Sequence, residues 1–305
     1  MESMKKQVSD RFPVDYGDFV LKSSDNVLFY FSRAILAYVS DFFRCMFELP
    51  SSDETQGTAQ KPLIVTETAD VLKGFLEQID AKTLPPGFGH DNVIDILEAA
   101  RKYQVPVIIT RFEAEIHREH QLRNVASRSN DLLLLSHPLV VLYIALHHDI
   151  ESVGKWAIQE LARCSSRFIE EENVEIPAKA SQYVQKLRRG RIQHFQKYID
   201  ILAKTRPPRQ AGSSQGPFMR FPEDTCIDCA TYRSEWLLQL DRSLEREPNW
   251  KTFARVYSAE NPAPCVTCKG DKSRLRFGSG SVSRFSEWAI EVRRLEDSGP
   301  AWPIM

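Results

Sequence analysis

Residues 18–47, DFVLKSSDNVLFYFSRAILAYVSDFFRCMF, change their hydrophobic period once, and that change limits the chain to a narrow set of folds. Residues 14–22 and 27–31 are rich in branched and aromatic side chains, and the turn-forming run Ser23-Ser24-Asp25-Asn26 lies between them, so the spacing predicts a β-hairpin. Beyond Ser32 the period becomes helical. Ile35, Leu36 and Val39 share one face, and Phe42, Phe43, Met46 and Phe47 form a second apolar cluster that reads mainly as core. Ser40-Asp41 is placed to cap the second of these short helices. Cys45, inside that cluster, reads as a small core residue.

The pattern continues with a polar loop over 49–61, a short strand at 63–65, helices with one apolar face over 70–79 and 92–104, the latter ended by Pro106, and one more helix over 107–120 that starts apolar and continues with mixed charge. Strands followed by helices packed against them describe a small α+β domain. Further helices are predicted over 131–146 and 150–162. An acidic linker containing Glu170, Glu171, Glu172 and Glu175 precedes a helix over 183–202, striped by Val184, Leu187, Phe195, Ile199 and Leu202. RPPRQAGSSQGP, residues 206–217, has the composition of a flexible linker or exposed loop. The last segment carries two more helices. Tyr232, Trp236, Leu237, Leu240 and Leu244 mark one, and Val282, Phe285, Trp288, Ala289, Val292 and Leu295 the other.

With 305 residues, 42% of them hydrophobic and 27% charged, the chain has room for two domains with buried cores. A net charge of -1 provides no global field toward nucleic acid or an anionic membrane, so any such attraction is local. No apolar core follows the charged N-terminus, as a secretory signal requires. The greasiest run, 132–146, is interrupted by Ser136, His137 and Pro138, and reads as a buried helix pair rather than a membrane span. Six cysteines without a leader, four of them in CxxC pairs, suggest reduced thiols or metal ligands in an intracellular, cytoplasmic or nuclear protein.

The order of elements and the wording of residues 18–47 resemble a BTB (POZ) domain. The residues that carry the resemblance are Asp18-Phe19-Val20-Leu21, Phe29, Phe31, Arg33 and Leu36, then Ser40, Phe43, Met46 and Phe47, and further on ILEAARKY at 96–103. The pattern is closest to BTB proteins of basidiomycete fungi, with Ser32 standing where the family usually has His. The resemblance implies an α+β fold over 14–120, a small sheet with a helical cluster, followed by an all-helical C-terminal region. The divisions expected are an N-terminal tail at 1–13, the BTB domain at 14–120, a helical extension at 121–205, a linker or exposed loop at 206–220 and a C-terminal helical unit at 221–305. It further implies a non-catalytic protein–protein interaction module that homodimerises, with Val14, Tyr16, Phe19, Arg33, Ile35, Leu36 and Val39 as the candidate dimer surface. Many BTB proteins also serve as substrate adaptors of a cullin ubiquitin ligase through an apolar-x-Glu loop. The loop here reads Glu48-Leu49-Pro50-Ser51-Ser52-Asp53-Glu54, with Ser52 at the apolar position.

Cys226/Cys229 and Cys265/Cys268 have the pairing of a four-sulfur structural zinc site, separated by 35 residues. The alternative is four reduced cysteines pinning helix starts. A thioredoxin-like redox pair would need a preceding strand, and FPEDT before Cys226 carries no strand signal. Residues 186–209 contain eight Lys or Arg, among them Lys186, Arg188, Arg189, Arg191 and Lys197, against the single acid Asp200. They read either as a solvated helix face or as a contact for nucleic acid in a nuclear regulator. His147-His148-Asp149 ends a predicted helix, where a histidine is explained by the helix dipole. Neither a GxGxxG nor a GxxxxGK[ST] loop occurs.

Overall fold

A computed structural model describes residues 7–49, 56–122, 132–164, 174–204 and 227–249, together with 252, 253, 255 and 256. The chain divides into two compact units, Met1–Val153 and Gly154–Met305.

Unit 1 is built on the hairpin that the sequence predicts. Strands β2 (Phe19–Lys22) and β3 (Val27–Phe31) pair antiparallel with Phe19 opposite Phe31 and Lys22 opposite Leu28. The turn is set by side-chain chemistry as well as propensity. Asn26 adopts φ 70°, the Val27 amide donates to Ser23 Oγ (3.0 Å), and Ser23 Oγ donates to Asp25 (2.6 Å). Residues 14–18, read as part of the first strand, form turns instead, and the strand starts only at Phe19.

Two short strands complete the sheet in the order β1-β3-β2-β4. β4 (Leu63–Ile64), close to the short strand predicted at 63–65, lies parallel to β2. β1 (Gln7–Val8), which falls in the predicted tail, lies parallel to β3 with Gln7 opposite Val27. With this strand in place the tail becomes part of the core: Phe12 is fully buried, and its carbonyl accepts the Tyr30 amide at 3.2 Å. All five residues of β3 are buried, because both sheet faces are covered. Val20, Leu28 and Tyr30 form a small cluster with Val8 and Ala59 on one side. Gly57 sits at φ +85° where a Cβ would lie 2.0 Å from the Phe19 ring, so both its backbone and its lack of a side chain are required.

Helices α1 (Arg33–Val39), α2 (Asp41–Glu48), α3 (Ala69–Ile79), α4 (Val93–Lys102) and α5 (Pro106–Leu122) follow. Pro106 opens α5 rather than only closing the helix before it, since a proline at the first helical position gives up no hydrogen bond. The predicted helix over 131–146 splits at His137 into α6 (Leu133–Ser136) and α7 (Pro138–His147), again with proline at the start. Eight of the ten α7 residues are buried, the pattern of a helix enclosed on all sides. The carboxylate of buried Glu119 in α5 accepts the Leu133 and Leu134 amides (3.1 and 2.8 Å), satisfying donors at the start of α6 that the helix itself cannot.

Helix α8 (Glu151–Arg163) crosses the division between the units. Unit 2 contains α9 (Ala178–Lys204) and α10 (Ile227–Arg246), which pack through Phe195 and Ile199 of α9 and Trp236, Leu240 and Leu244 of α10. The cluster is completed by Phe253 and Val256. The predicted helix marked by Val282 and Trp288, the linker 206–217 and Glu170–172 lie outside the described residues.

Candidate protein-interaction surface

The surface is assembled from the junctions flanking α1. Asp18 Oδ1 accepts the Arg33 amide at 2.8 Å, which ties the entry of β2 to the first residue of α1. Ser32, at the position where BTB proteins usually have His, serves as N-cap, its hydroxyl oxygen accepting the Ile35 amide at 3.4 Å. Ser40 has a double role. Its Oγ accepts the Phe43 amide (3.0 Å), capping α2 as predicted, and donates to the Tyr103 carbonyl (2.5 Å), which locks the α1–α2 turn onto the end of α4.

These constraints decide which side of α1 faces water. Leu36 is wholly buried, whereas Tyr38, about 200° further round the helix, is 88% exposed. Ala34 is also exposed, and Ile35 and Val39 are half-buried on the flanks. Of the seven candidate dimer residues, Phe19 (3% exposed) and Leu36 (0%) are core, so they support the surface from beneath and cannot touch a partner. Val14 and Arg33 are exposed; Tyr16, Ile35 and Val39 are partly so. Tyr38 was missed by the sequence reading, although once Leu36 is placed inward the helical wheel puts residue 38 outward.

The α2 cluster is less buried than its sequence suggested. Phe43 is core and stacks on Tyr103 (centroids 5.3 Å), but Phe42 is 40% exposed and Leu49 67%. Met46 and Phe47 are half-buried. Cys45 is exposed rather than core, because it lies about 200° around the helix from Phe43, which takes the inward position. The Arg33 guanidinium sits 4.4 Å from the Phe47 ring centroid and covers that ring with charge.

Tyr16 is held by a polar hub. Its hydroxyl donates to Asp80 (2.5 Å), which also accepts from Arg11 (3.0 Å), Thr83 Oγ1 (2.9 Å) and the Lys82 amide (3.0 Å). Burial alone would raise the Asp80 carboxyl, but the Tyr16 hydrogen bond, the other donors and the Arg11 charge outweigh it and hold it below the ordinary value. Burial and the hydrogen bond to Asp80 raise the Tyr16 phenol. The hub fixes residues 11–16 against the start of the loop after α3, giving the candidate surface a rigid border.

The other candidate sites divide. Among the basic residues, Lys186, Arg189 and Lys197 are exposed on α9, but Arg188 and Arg191 are corrected to structural roles. Arg188 donates to the carbonyls of Cys164, Arg246 and Glu245, capping the C-terminal ends of α8 and α10. Burial lowers its guanidinium below its ordinary value. Arg191 is 1% exposed and its Nε donates to the Pro248 carbonyl at 2.9 Å. Both lie on the face of α9 that packs inward, which spacing alone could not distinguish from the outer one. Cys226, Cys265 and Cys268 fall outside the described residues, and of Cys229 only the backbone is described, in the first turn of α10. The Cys164 thiol is pushed up to about 12, chiefly by burial. His147 pairs with Glu98 at 2.9 Å on the surface, so its neighbourhood is a helix end and a carboxylate. Among the described residues no helix is long and apolar enough to cross a membrane.

No curated protein matches the chain. Residues 10–120 match the family described as BTB/POZ domain, the span that holds the hairpin, α1 to α4 and most of α5. This portion of the chain is therefore a BTB/POZ domain, a protein–protein interaction module, followed by helices.

Proposed function

We propose that the protein is a non-catalytic interaction scaffold that pairs with a second copy through α1 and the segment around Val14 and Tyr16, leaving its helical extension to hold another protein. Tyr38 carries this reading. An aromatic side chain 88% exposed on a helix whose flanks are Ile35 and Val39 is apolar surface that a lone protomer leaves in water. Aromatic side chains of this kind dominate interface energetics when a partner covers them. Light scattering at micromolar concentration is expected to give the mass of a dimer. Tyr38→Glu is expected to raise the dimer dissociation constant about 30-fold or more with an unchanged circular dichroism spectrum. A wild-type monomer throughout that range would overturn the reading.

The paired cysteines support a structural zinc centre in the C-terminal unit. Cys229 lies in the first turn of α10, three residues after Cys226, where the helix dipole favours thiolates. Cys265 and Cys268 supply the second pair. Metal analysis of the purified chain is expected to find one zinc per chain, and its removal by a chelator to lower the melting temperature. Protein without zinc that melts no lower after chelation would count against it.

A further inference from the structure

Helix α9 presents a charged face that the α9–α10 core does not use. Opposite its buried residues, Lys179, Gln182, Lys186, Arg189, Gln193 and Lys197 are all exposed. At about 100° per residue they fall within an arc of about 100°, and at about 1.5 Å per residue they extend along about 27 Å. No Asp or Glu occurs between residues 178 and 199. Among the described residues, none of the four cations is in an ion pair.

Gly190 provides a second, independent observation. It lies at the margin of the same arc, in the middle of a 27-residue helix, and a Cβ built on it meets nothing within 4 Å. Alanine would fit there and favour the helix, so the free chain gains no stability from glycine at this position. A notch beside a row of cations suits the close approach of a second, negatively charged chain.

We propose that this face binds the sugar–phosphate backbone of nucleic acid, with Lys179, Lys186, Arg189 and Lys197 neutralising phosphates and Gly190 admitting the backbone. The face offers cations and amides without a single acid, which matches a uniformly charged polyanion; a protein surface of mixed charge would find no negative group here to set its register. The arc holds no aromatic ring on which a base could stack, so binding is independent of sequence.

Fluorescence anisotropy of the full chain with a short labelled duplex of mixed sequence tests this. Binding is expected at low salt, with log K falling against log salt at a slope of about -3 to -4, one unit for each neutralised phosphate. Lys186→Glu with Arg189→Glu is expected to weaken binding at least about tenfold and roughly halve that slope. Gly190→Leu, which favours the helix, is expected to weaken binding about tenfold while leaving the thermal midpoint equal or higher. Polyglutamate serves as the competing probe. No binding at low salt, binding that survives the double substitution, full-strength binding by Gly190→Leu, or polyglutamate held as tightly as duplex would each overturn the proposal.

Discussion

Phe12→Ala is expected to lower folding stability by about 3–5 kcal/mol, the range for deleting a fully enclosed aromatic side chain. The ring is edge-on to Tyr16 (centroids 5.1 Å) and Phe31 (5.6 Å) and tilted against Phe29 at 6.2 Å. Its removal empties a space lined by β3 and by the residue that reaches Asp80, and neither can collapse inward. The sheet is pinned to this segment before Phe12 and at Phe12 itself, through the Ser9 amide on the Leu28 carbonyl (2.8 Å) and the Tyr30 amide on the Phe12 carbonyl (3.2 Å). Urea denaturation followed by circular dichroism measures the loss. A change below about 1 kcal/mol, the level of a surface substitution, would mean that the N-terminal segment is not packed as described.

Glu119→Ala is expected to cost about 3 kcal/mol, because it strands two buried amides at once, each worth about 1–3 kcal/mol when left without an acceptor. Glu119→Gln keeps one acceptor oxygen and should cost about 1 kcal/mol. The pair also makes a pH prediction. Burial, with the charge of Glu115 adding to it, raises the Glu119 carboxyl above its ordinary value, while the Leu133 and Leu134 amides oppose the shift. The folded state then holds this proton more tightly than the unfolded state. Its contribution is complete below the ordinary carboxylate range and declines as pH rises through the folded value. Denaturation of wild type and Glu119→Gln across that window should show the wild-type advantage shrinking with rising pH. An advantage that grows with pH would reverse the assignment.

Much of the BTB fold was legible because short-range chemistry and hydrophobic period agree there. The turn residues at 23–26, the Ser40 cap and the stripes of α3 and α4 each point to one structure. What the sequence hid depends on partners distant along the chain. Gln7 and Val8 are too few to show a strand period, and only pairing with Val27 and Leu28 makes them one. Arg188 and Arg191 sit in a run of cations that reads as solvated; the carbonyls that claim them come from Cys164 and from residues 245–248. In the candidate surface, Arg33, Ile35 and Val39 came from the family resemblance. Tyr38 did not, because exposure of an aromatic residue is decided by which side of a seven-residue helix packs inward, and here that side is Leu36.

The shortness of β1 and β4 also bears on how copies of this protein can meet. Among the described residues each edge of the sheet is a strand of two residues, offering about 7 Å of backbone on which a foreign strand could grow. Continuous ribbons that propagate edge to edge need longer templates, so these edges are poor seeds for aggregation. Ile64, 70% exposed on one of them, is thereby tolerated in water without becoming a nucleus for it.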